Sequence, residues 1–413
     1  MLKRHLACDV AVIGAGLSGL MAAAAARRKG ASVLLLAGGH GALELSSGCI
    51  DLLGATPAGD LPDQPWEALP SLDPTHPYRL LGAERVGEAV AAFAQILLAE
   101  GLPYHRRADG RNQWTVTAIG RLRPTYLRPS SAACPGRGQR LWVAGFDGMA
   151  GFEPEVVAEG LRQGRPDLSV EILRAELPPL GASHPLQLAR LLDLPAGRSA
   201  LLRSLLAARP PGPAPDLILL PAVLGIDRSE EVREGLASAL GAPVAEIPLP
   251  SPSLPGLRLS NRLLQHLERL GVDLRMGVEV TDAQVESGRV TALRMAAAGG
   301  AMTVKTGAVV LAAGGLLGRG IQALGRSLHE PIFGLPVVHP PQWALPELLP
   351  AGGHPFARCG LRTGADLRPE GYANLFACGR MLAGYDPYAE GSGGGVAIAT
   401  GWRAGLLAGG EAA

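Results

Sequence analysis

Glycines near the amino terminus have a spacing that suits a phosphate-containing ligand. Gly14, Gly16 and Gly19 follow an apolar strand predicted over residues 9–13 and precede an alanine-rich helix predicted over 20–28. In such a unit the first glycine permits a tight turn, the second lets N–H groups approach a pyrophosphate, and the third allows close helix packing. The pattern predicts a dinucleotide- or flavin-type site, and a glycine loop that binds nothing is the alternative.

The second predicted strand covers residues 32–36, and the acidic residue that is expected at its end is missing. An Asp or Glu there usually holds the adenosine ribose, whereas residues 37–40 read AGGH. Losing a charged hydrogen bond costs about 1.5–3 kcal/mol, too little to abolish binding of a large cofactor. The missing carboxylate favours FMN, which has no adenosine, or an FAD whose adenosine ribose is bound in another way. The alternative is that another loop supplies the carboxylate.

Three further segments favour a flavin over a nicotinamide. Residues 45–51 form a small-residue loop, a buried strand over 307–311 ends in a glycine turn, and a strand over 374–378 leads to a glycine-rich helix start at 390–395. That helix start offers N–H donors and a positive dipole, which suit the negative charge of a reduced flavin ring. The candidate cofactor-binding residues are Gly14, Gly16, Gly19, Ser46, Ser47, Gly48, Gly314, Gly315, Gly379, Asp386, Gly393, Gly394 and Gly395.

Three residues are candidates for contact with a substrate. Between residues 101 and 145 there are eight arginines and one aspartate, for a local charge near +7, which suits a phosphate, a carboxylate or an acidic partner surface. Arg123 is our choice among them, and a solvated loop is the alternative. Arg380 follows the Gly379 turn, and His354 is a candidate base or a structural histidine. Asp386 contacts a ribityl chain or caps a turn.

Composition excludes several other classes of protein. The 413 residues carry 38 Lys+Arg against 37 Asp+Glu, so we expect no nucleic-acid-binding surface and no polybasic membrane tail. The uncharged stretch 331–346 contains five prolines and cannot form a membrane-spanning helix. Five scattered cysteines match neither an iron–sulfur nor a zinc pattern, so no metal is expected. We expect a cytoplasmic protein whose Cys49 and Cys378 are redox-active or simply buried.

Several motifs resemble known flavoproteins. The amino terminus, residues 312–315 and residues 379–395 resemble the glutathione-reductase-like class that includes the flavoprotein subunits of fumarate reductase and succinate dehydrogenase. Over nearly the full length, the chain resembles the B-subunit family of anaerobic glycerol-3-phosphate dehydrogenase. The motifs that carry this second resemblance are LSSGCIDLL at 45–53, HPYRLLG at 76–82, EPIFGL at 330–335 and GYDPYAEGSGGG at 384–395.

The resemblance implies cofactors, partners and a location. In that family the B subunit is associated with FMN. Its partners are a catalytic A subunit, which contains FAD, together with an iron–sulfur, membrane-attached C subunit. The implied location is the cytoplasmic face of the inner membrane, peripheral through those partners. The lack of a ribose carboxylate at residues 37–40 agrees with FMN.

The predicted fold class is α/β: a discontinuous Rossmann-like flavin-binding domain of the glutathione-reductase-like type with an inserted α+β second domain. The flavin-binding domain is expected to comprise residues 1–60, 256–335 and 366–413, because the candidate cofactor segments lie in these ranges. Residues 61–255 and 336–365 are expected to form the second, cap or partner domain. Pro-rich stretches at 55–77 and 246–255 mark the places where the chain is expected to pass from one domain to the other.

Three hypotheses of function remain open. The leading one is a flavoprotein subunit that oxidises glycerol 3-phosphate to dihydroxyacetone phosphate and passes electrons through partner subunits to the quinone pool. The second is a stand-alone fumarate-reductase-like oxidoreductase that acts on a carboxylate. The third is a non-catalytic scaffold that keeps the flavin fold and holds its partners together.

Overall fold

A computed structural model describes residues 5–56, 58–177, 183–297, 300–347, 350 and 353–411. The predicted domain ranges also include positions 1–4, 57, 178–182, 298–299, 348–349, 351–352 and 412–413, which lie outside the described residues. The helices are α1 (Leu17–Arg28), α2 (Pro65–Ala68), α3 (Pro77–Leu81), α4 (Ala83–Ala99), α5 (Pro154–Gly164), α6 (Pro185–Leu192), α7 (Pro195–Ala207), α8 (Ser229–Leu240), α9 (Leu254–Arg269) and α10 (Gly393–Glu411).

The strands are β1 (His5–Ile13), β2 (Val33–Ala37), β3 (Tyr104–His105), β4 (Gln113–Val116), β5 (Leu122–Thr125), β6 (Arg128–Pro129), β7 (Arg140–Asp147), β8 (Ser169–Glu176), β9 (Leu217–Pro221), β10 (Val244–Ile247), β11 (Asp273–Met276), β12 (Glu279–Glu286), β13 (Arg289–Ala297), β14 (Gly300–Leu311), β15 (Gln322–Leu324), β16 (Ser327–His329), β17 (Val337–Val338), β18 (Gly360–Leu361) and β19 (Leu375–Ala377).

The chain divides into two compact units. The first unit contains the residues up to Leu43, the segment Asp51–Glu100 and the residues from Arg262 onward. The second unit contains Glu44–Ile50 and Gly101–Asn261. The mixed α/β class predicted for the chain as a whole is confirmed.

A mixed sheet forms the centre of the first unit. Its strand order is β11-β2-β1-β14-β13-β12, and β19 pairs with the end of β14. Strands β11, β2, β1, β14 and β19 run parallel, while β12 and β13 are antiparallel additions. Apolar residues fill the central strands because both faces are covered, as in β2, where all five residues are buried. Asn374 fastens β19 to this sheet: its side-chain nitrogen donates to the carbonyls of Val290 and Gly307 at 2.8 and 2.7 Å.

Helices α1 and α10 pack against each other with almost no side chain between their backbones. Gly401, Gly405 and Gly409 recur at every fourth position of α10 and therefore lie on one face of that helix. A Cβ built on Gly401 would lie 2.2 Å from the Ser18 carbonyl oxygen, and one built on Gly405 would lie 2.1 Å from that of Ala22. The alanine-rich sequence of α1 and the glycines of α10 thus specify this close approach.

The second unit contains a four-stranded parallel sheet with the order β10-β9-β7-β8. Helices occur between its strands along the chain, with α5 between β7 and β8 and α8 between β9 and β10. The expected α+β arrangement is therefore wrong for this unit. Parallel neighbours need crossover connections, and the helices provide them, so the unit is α/β. Two small antiparallel pairs, β3 with β6 and β4 with β5, accompany the sheet.

The boundaries of the units differ from the expected domain boundaries. Residues 61–100 lie in the first unit, because α3 and α4 pack on α10. Residues 336–365 also lie there, where the Ala383 N–H donates to the Leu361 carbonyl at 3.0 Å. Residues 44–50 lie in the second unit, where the Ile50 N–H donates to the Leu127 carbonyl at 2.8 Å. These tertiary contacts have no local sequence signal.

Among the described residues, none of the helices is both long enough and apolar enough to cross a bilayer.

The packing of α10 on α1 predicts opposite effects for the same substitution at two helical glycines. Gly405→Ala places a methyl group against the Ala22 carbonyl, so we expect a loss of about 1–3 kcal/mol in unfolding free energy. Gly235→Ala in α8 adds a methyl group in open space, and helix propensity should stabilise the chain by up to about 1 kcal/mol. Urea unfolding of the two variants measures both values. Stabilisation by Gly405→Ala would contradict the described packing.

Candidate flavin site and a cavity in the second unit

Glycine turns meet at the carboxyl ends of the central strands of the first unit. The turn at Gly14–Gly19 follows β1, the turn at 312–315 follows β14, and Gly379 follows β19 by two residues. A backbone hydrogen bond of 2.8 Å from the Gly14 N–H to the Leu36 carbonyl continues the sheet into the first turn. Ligands of open parallel α/β sheets bind at this edge.

Two of the three amino-terminal glycines are required by packing. Gly14 has a φ of +111°, and a Cβ there would lie 2.3 Å from the Ala312 carbonyl oxygen. A Cβ on Gly19 would lie 1.9 Å from the Gly14 carbonyl oxygen. Both glycines therefore fix the shape of the turn and its close approach to the strand end of β14.

Gly16 has a different environment. A Cβ built on it meets no described atom within 4 Å, and its φ of −75° and ψ of 174° are open to any residue. Gly16 is the N-cap of α1, which has no side-chain cap and no acidic residue in its first turn. The first-turn N–H groups and the positive end of the helix dipole thus lie beside open space, which suits an anionic group.

The third turn packs directly on the start of α1. Gly379 has a φ of +63°, and a Cβ there would lie 2.4 Å from Ser18 Oγ. The Gly379 N–H donates to Thr400 Oγ1 of α10 at 2.8 Å. Cys378 is fully buried beside this contact, and burial raises the pKa of its thiol to about 12. Gly379 therefore joins β19, α1 and α10 at one point.

Arg380 lies beside the second glycine turn. A Cβ on Gly315 would lie 3.0 Å from the Arg380 carbonyl oxygen and 3.5 Å from the guanidinium carbon. Arg380 Nη2 donates to the Ala357 carbonyl at 2.7 Å, and the guanidinium lies 5.6 Å from the Tyr385 ring centroid. Its Nη1 is buried and has no hydrogen-bond partner within the described part of the chain. A donor held in this way suits an anionic or carbonyl oxygen of a ligand.

His354 has structural contacts at both ring nitrogens. Nδ1 accepts the Phe356 N–H at 3.3 Å and so caps the short 3₁₀ turn Pro355–Arg358. Nε2 lies 3.4 Å from the Leu345 carbonyl oxygen. Because the capped turn contains Ala357, which accepts from Arg380, His354 supports the segment that orients Arg380. These contacts are those of a turn cap, and a catalytic role for His354 stays a prediction.

Asp386 and Glu390 organise the loop that precedes α10. Asp386 Oδ1 accepts the N–H groups of Tyr388 and Ala389, each at 3.1 Å, so it caps this turn. Glu390 Oε1 accepts the Asp386 N–H at 3.0 Å, and its Oε2 lies 3.1 Å from Nε2 of His76, which is 1% exposed. His76 Nδ1 in turn accepts the Tyr78 N–H, so His76 donates to Glu390 from Nε2. The network fixes the loop to α3.

The glycines that begin α10 divide between two roles. Gly395 is packed: its N–H donates to the Asp51 carbonyl at 3.0 Å, and a Cβ there would lie 2.1 Å from the Tyr78 hydroxyl oxygen. Gly393 and Gly394 form the first turn of α10, where N–H groups have no partner within the helix. Donors for a ligand at this helix start therefore come from Gly393 and Gly394.

The remaining predicted residues lie in the second unit. Ser46 and Ser47 close small turns, with their hydroxyl oxygens accepting the N–H groups of Gly48 and Cys49 at 3.3 and 3.4 Å. Gly48 has a φ of +76°, and its carbonyl accepts from the Tyr104 hydroxyl at 2.6 Å. Ser47 and Arg123 both line a cavity of about 280 Å³. Burial raises the pKa of the Cys49 thiol in the same cavity wall, against the opposing effect of nearby arginines.

The arginine cluster predicted between residues 101 and 145 is dispersed. Arg107 forms a 2.6 Å ion pair with Asp109, and Arg121 donates to the Gln163 side chain at 2.9 Å. Arg128 donates to the Gln113 side-chain oxygen at 2.9 Å. Of the eight arginines, Arg123 is the one that lines the cavity. The cluster as a whole is therefore not one anion site.

The described residues fit a bound flavin in the first unit. The open space at Gly16 and the unsatisfied Nη1 of Arg380 lie beside turns that follow parallel strands of the same sheet. Together they offer backbone donors, a cationic donor and the dipole of α1 to an anionic cofactor. The described part of the chain contains no group of three or more His, Cys, Asp or Glu that could hold a metal ion.

Sequence reasoning missed several residues of these sites. His76 stands in the HPYRLLG motif but is 314 positions from Glu390, so its role depends on the tertiary fold. Thr115 and Glu246, which line the cavity, have no distinctive motif. The buried pair of Glu246 and Arg258 has no sequence signal either, because the partners lie on β10 and α9.

Comparison with known proteins defines the class first. Residues 9–396 match the family described as FAD binding domain, and the chain belongs to this family of flavoproteins. The predicted flavoprotein class is confirmed. Within it, the chain belongs to the B-subunit family of anaerobic glycerol-3-phosphate dehydrogenase, as the sequence predicted.

The relatives match the chain from end to end. A protein of Halobacterium salinarum, described as the probable B subunit of anaerobic glycerol-3-phosphate dehydrogenase, is 36% identical over 97% of both chains. The B subunit of the anaerobic glycerol-3-phosphate dehydrogenase of Vibrio cholerae is 33% identical over 96% of this chain and 95% of its own. Among solved structures, a 3-ketosteroid-delta4-(5alpha)-dehydrogenase from Rhodococcus jostii is 15% identical, with a TM-score of 0.43 over 99% of this chain and 98% of its own.

The different environments of Gly16 and Gly19 predict separable effects on ligand binding and folding. Gly16→Ser adds a favoured N-cap in open space, so the unfolding free energy of the flavin-free chain should change by less than about 1 kcal/mol. Its hydroxyl competes for the N–H donors that an anion needs, and bound flavin should be lost. Gly19→Ser should destabilise the fold itself. Flavin absorbance and thermal unfolding test both variants, and full flavin content in Gly16→Ser would contradict this site.

Burial of Cys378 predicts a thiol that stays unreactive in the folded chain. With a pKa near 12, the thiol remains protonated at pH 8, whereas a free cysteine with a pKa of about 8.5 is partly ionised. We expect iodoacetamide to label Cys378 at least about 100-fold more slowly in native protein than in urea. Peptide mass spectrometry measures the labelling. Rapid native labelling would support a redox-active Cys378 instead.

Proposed function

We propose that the chain is the flavin-carrying B subunit of an anaerobic glycerol-3-phosphate dehydrogenase. In this proposal it takes part in oxidising glycerol 3-phosphate to dihydroxyacetone phosphate, and electrons pass through partner subunits to the quinone pool. The end-to-end similarity to proteins of that name carries the proposal. The open glycine turn at Gly16 supports it, since the described residues around that turn fit a flavin phosphate.

We propose that the first unit is the flavin-binding domain, of the glutathione-reductase-like type. The parallel order β11-β2-β1-β14 with β19 and the glycine turn after β1 support this assignment. A bound flavin would supply hydride acceptance at N5 of its ring. Arg380 and the first turn of α10 would hold negative charge, and Gly314 and Gly315 would let backbone approach the ring.

We propose FMN as the cofactor, with FAD as the alternative that the family description favours. No carboxylate stands at residues 37–40, which comprise the last residue of β2 and the three that follow it. Residue 41 then returns to the glycine turn: a Cβ on Gly41 would lie 3.0 Å from the Gly16 Cα. In a βαβ motif the adenosine half of a dinucleotide lies beside the end of the second strand. The segment 38–41 therefore limits the space beside the end of β2, where an adenosine would lie.

We propose that the chain works in a complex, because the names of its relatives identify them as subunits. Following the resemblance, the partners are an A subunit that contains FAD, together with an iron–sulfur, membrane-attached C subunit. The complex would lie at the cytoplasmic face of the inner membrane.

The flavin released by acid from the purified chain tests the proposal directly. We expect FMN at about one per chain, because the first unit has one such glycine turn. Chromatography with absorbance detection identifies and counts it. FAD would refute the argument from residues 37–41, and absence of flavin from chain purified with its partners would favour a scaffold role. Dye reduction by the reconstituted complex with glycerol 3-phosphate, compared with fumarate or succinate, tests the substrate.

A further inference from the structure

The two most exposed large apolar side chains among the described residues lie close together in the sequence of the first unit. Leu317 is 73% exposed and Leu324 is 69% exposed. A fully extended chain covers about 3.3–3.6 Å per residue, so their Cα atoms are at most about 25 Å apart. A protein–protein interface of standard size buries about 800 Å² on each partner and is roughly 30 Å across. The two leucines can therefore contact one partner surface.

Two arginines accompany these leucines. Arg319 and Arg326 are exposed, and neither guanidinium has a hydrogen-bond or ion-pair partner within the described part of the chain. Residues 312–329 contain these two arginines and no aspartate or glutamate, so the segment has a charge of +2. The next acidic residue, Glu330, is buried, and its carboxylate accepts the N–H groups of Ile332 and Phe333 at 2.9 and 2.7 Å.

Arg319 has a backbone conformation that glycine adopts more easily. It ends the short 3₁₀ turn Leu316–Gly318 with a φ of +64° and a ψ of 6°. This left-handed region is unfavourable for a residue that has a Cβ. Strained backbone of this kind is concentrated at ligand clamps and other functional positions. Since the Arg319 side chain points to no polar partner in its own chain, the strain indicates a contact with another molecule.

The second arginine lies at the tip of a fixed β-hairpin. Strands β15 and β16 leave Gly325 and Arg326 as a two-residue turn, in which Gly325 has a φ of +62°. Trp343 Nε1 donates to the Arg326 carbonyl at 3.0 Å and holds the turn from outside the hairpin. The hairpin therefore presents Leu324 and Arg326 from a defined backbone.

The exposed segment begins at the second glycine turn of the candidate flavin site. A Cβ on Gly314 would lie 3.2 Å from the Gly318 Cα, and a Cβ on Gly320 would lie 2.0 Å from the Gly314 carbonyl oxygen. Leu317 and Arg319 thus flank a glycine that packs directly on the turn. A partner bound to these two side chains would lie one backbone layer from the candidate cofactor turn.

We propose that Leu317, Arg319, Leu324 and Arg326 form a docking surface for an acidic partner protein that receives electrons from the flavin. The charge of residues 312–329 defines the charge of the partner, and the exposed leucines define an apolar contact within its acidic rim. The identity of the partner rests on the proposed function, in which it is the iron–sulfur C subunit. The surface itself rests on exposure, charge and backbone geometry.

Titration of the purified full-length chain with detergent-solubilised C subunit, followed by biolayer interferometry, tests the docking surface. We expect wild-type binding to weaken as the salt concentration rises. Arg326→Glu should weaken binding about 10- to 100-fold, because it places like charges at the contact. Leu324→Ser should weaken it about 10-fold. Arg289→Glu and Leu98→Ser are the matched controls, because both residues are exposed in the first unit, on β13 and α4.

Arg319→Gly separates docking from folding. Glycine adopts the left-handed backbone readily, so thermal unfolding should be nearly unchanged. Loss of the guanidinium should weaken binding of the C subunit about 10-fold and reduce its salt dependence. A purely structural role for Arg319 would instead lower the unfolding temperature and leave binding by the folded chain unchanged.

The outcomes separate the docking surface from the proposed function. Binding that is weakened in Arg319→Gly, Leu324→Ser and Arg326→Glu and kept in both controls supports the surface, even if the complex does not reduce a dye with glycerol 3-phosphate. The proposal is overturned by equal binding of these variants and wild type, by equal weakening in the controls, or by a wild-type chain that does not bind the C subunit. Loss of flavin from the three variants would also overturn it, because the segment would then serve the cofactor turn.

The same titration with the A subunit shows which partner uses the surface. We expect the three substitutions to leave binding of the A subunit unchanged. Weakened binding of the A subunit alone would contradict the assignment of the electron-accepting partner to this surface.

Discussion

The close approach of α10 to α1 is the constraint on which the first unit depends. The two helices lie at opposite ends of the sequence, and backbone carbonyls of α1 touch positions of α10 where only glycine fits. This contact places Gly401, in the interior of α10, against Ser18 at the start of α1 and brings Thr400 within reach of the Gly379 N–H. Three chain segments that are distant in sequence thereby share one sheet edge. A candidate flavin site exists there because the helix pair has almost no side-chain layer between its backbones.

The two units divide the chemistry of the chain between different kinds of donor. In the first unit the donors are mainly backbone N–H groups at helix starts, which carry no formal charge and cannot change rotamer. In the second unit a guanidinium and hydroxyls line a small cavity next to a neutral buried ion pair. Backbone donors suit a resident cofactor that must be held in one position.

Sequence patterns predicted those parts of the structure that depend on interactions between residues close together in the chain. The strand–glycine–helix unit at 9–28 and the helix of α4 follow from apolar periodicity and from the positions of glycine. The roles of individual glycines were less predictable: Gly14 and Gly19 serve packing, whereas Gly16 is open, and sequence spacing alone treats all three alike. The sequence did not indicate in which unit residues 44–50 and 61–100 pack, because their partners, such as Leu127 and α10, lie far away in the chain. Sequence reasoning left His354 as a candidate base or a structural histidine, because it cannot show that both ring nitrogens meet backbone groups.

The position of α10 also sets the order in which the chain can mature. Its residues 393–411 leave the ribosome long after α1, yet α1 packs against them. The long segment 101–261 of the second unit is continuous and emerges much earlier. Domains generally fold as units during synthesis, so this segment can fold while α1 still lacks its neighbour. The helix pair can therefore form only after residues 393–411 have been synthesised, and a chain truncated before α10 would leave the alanine-rich face of α1 uncovered.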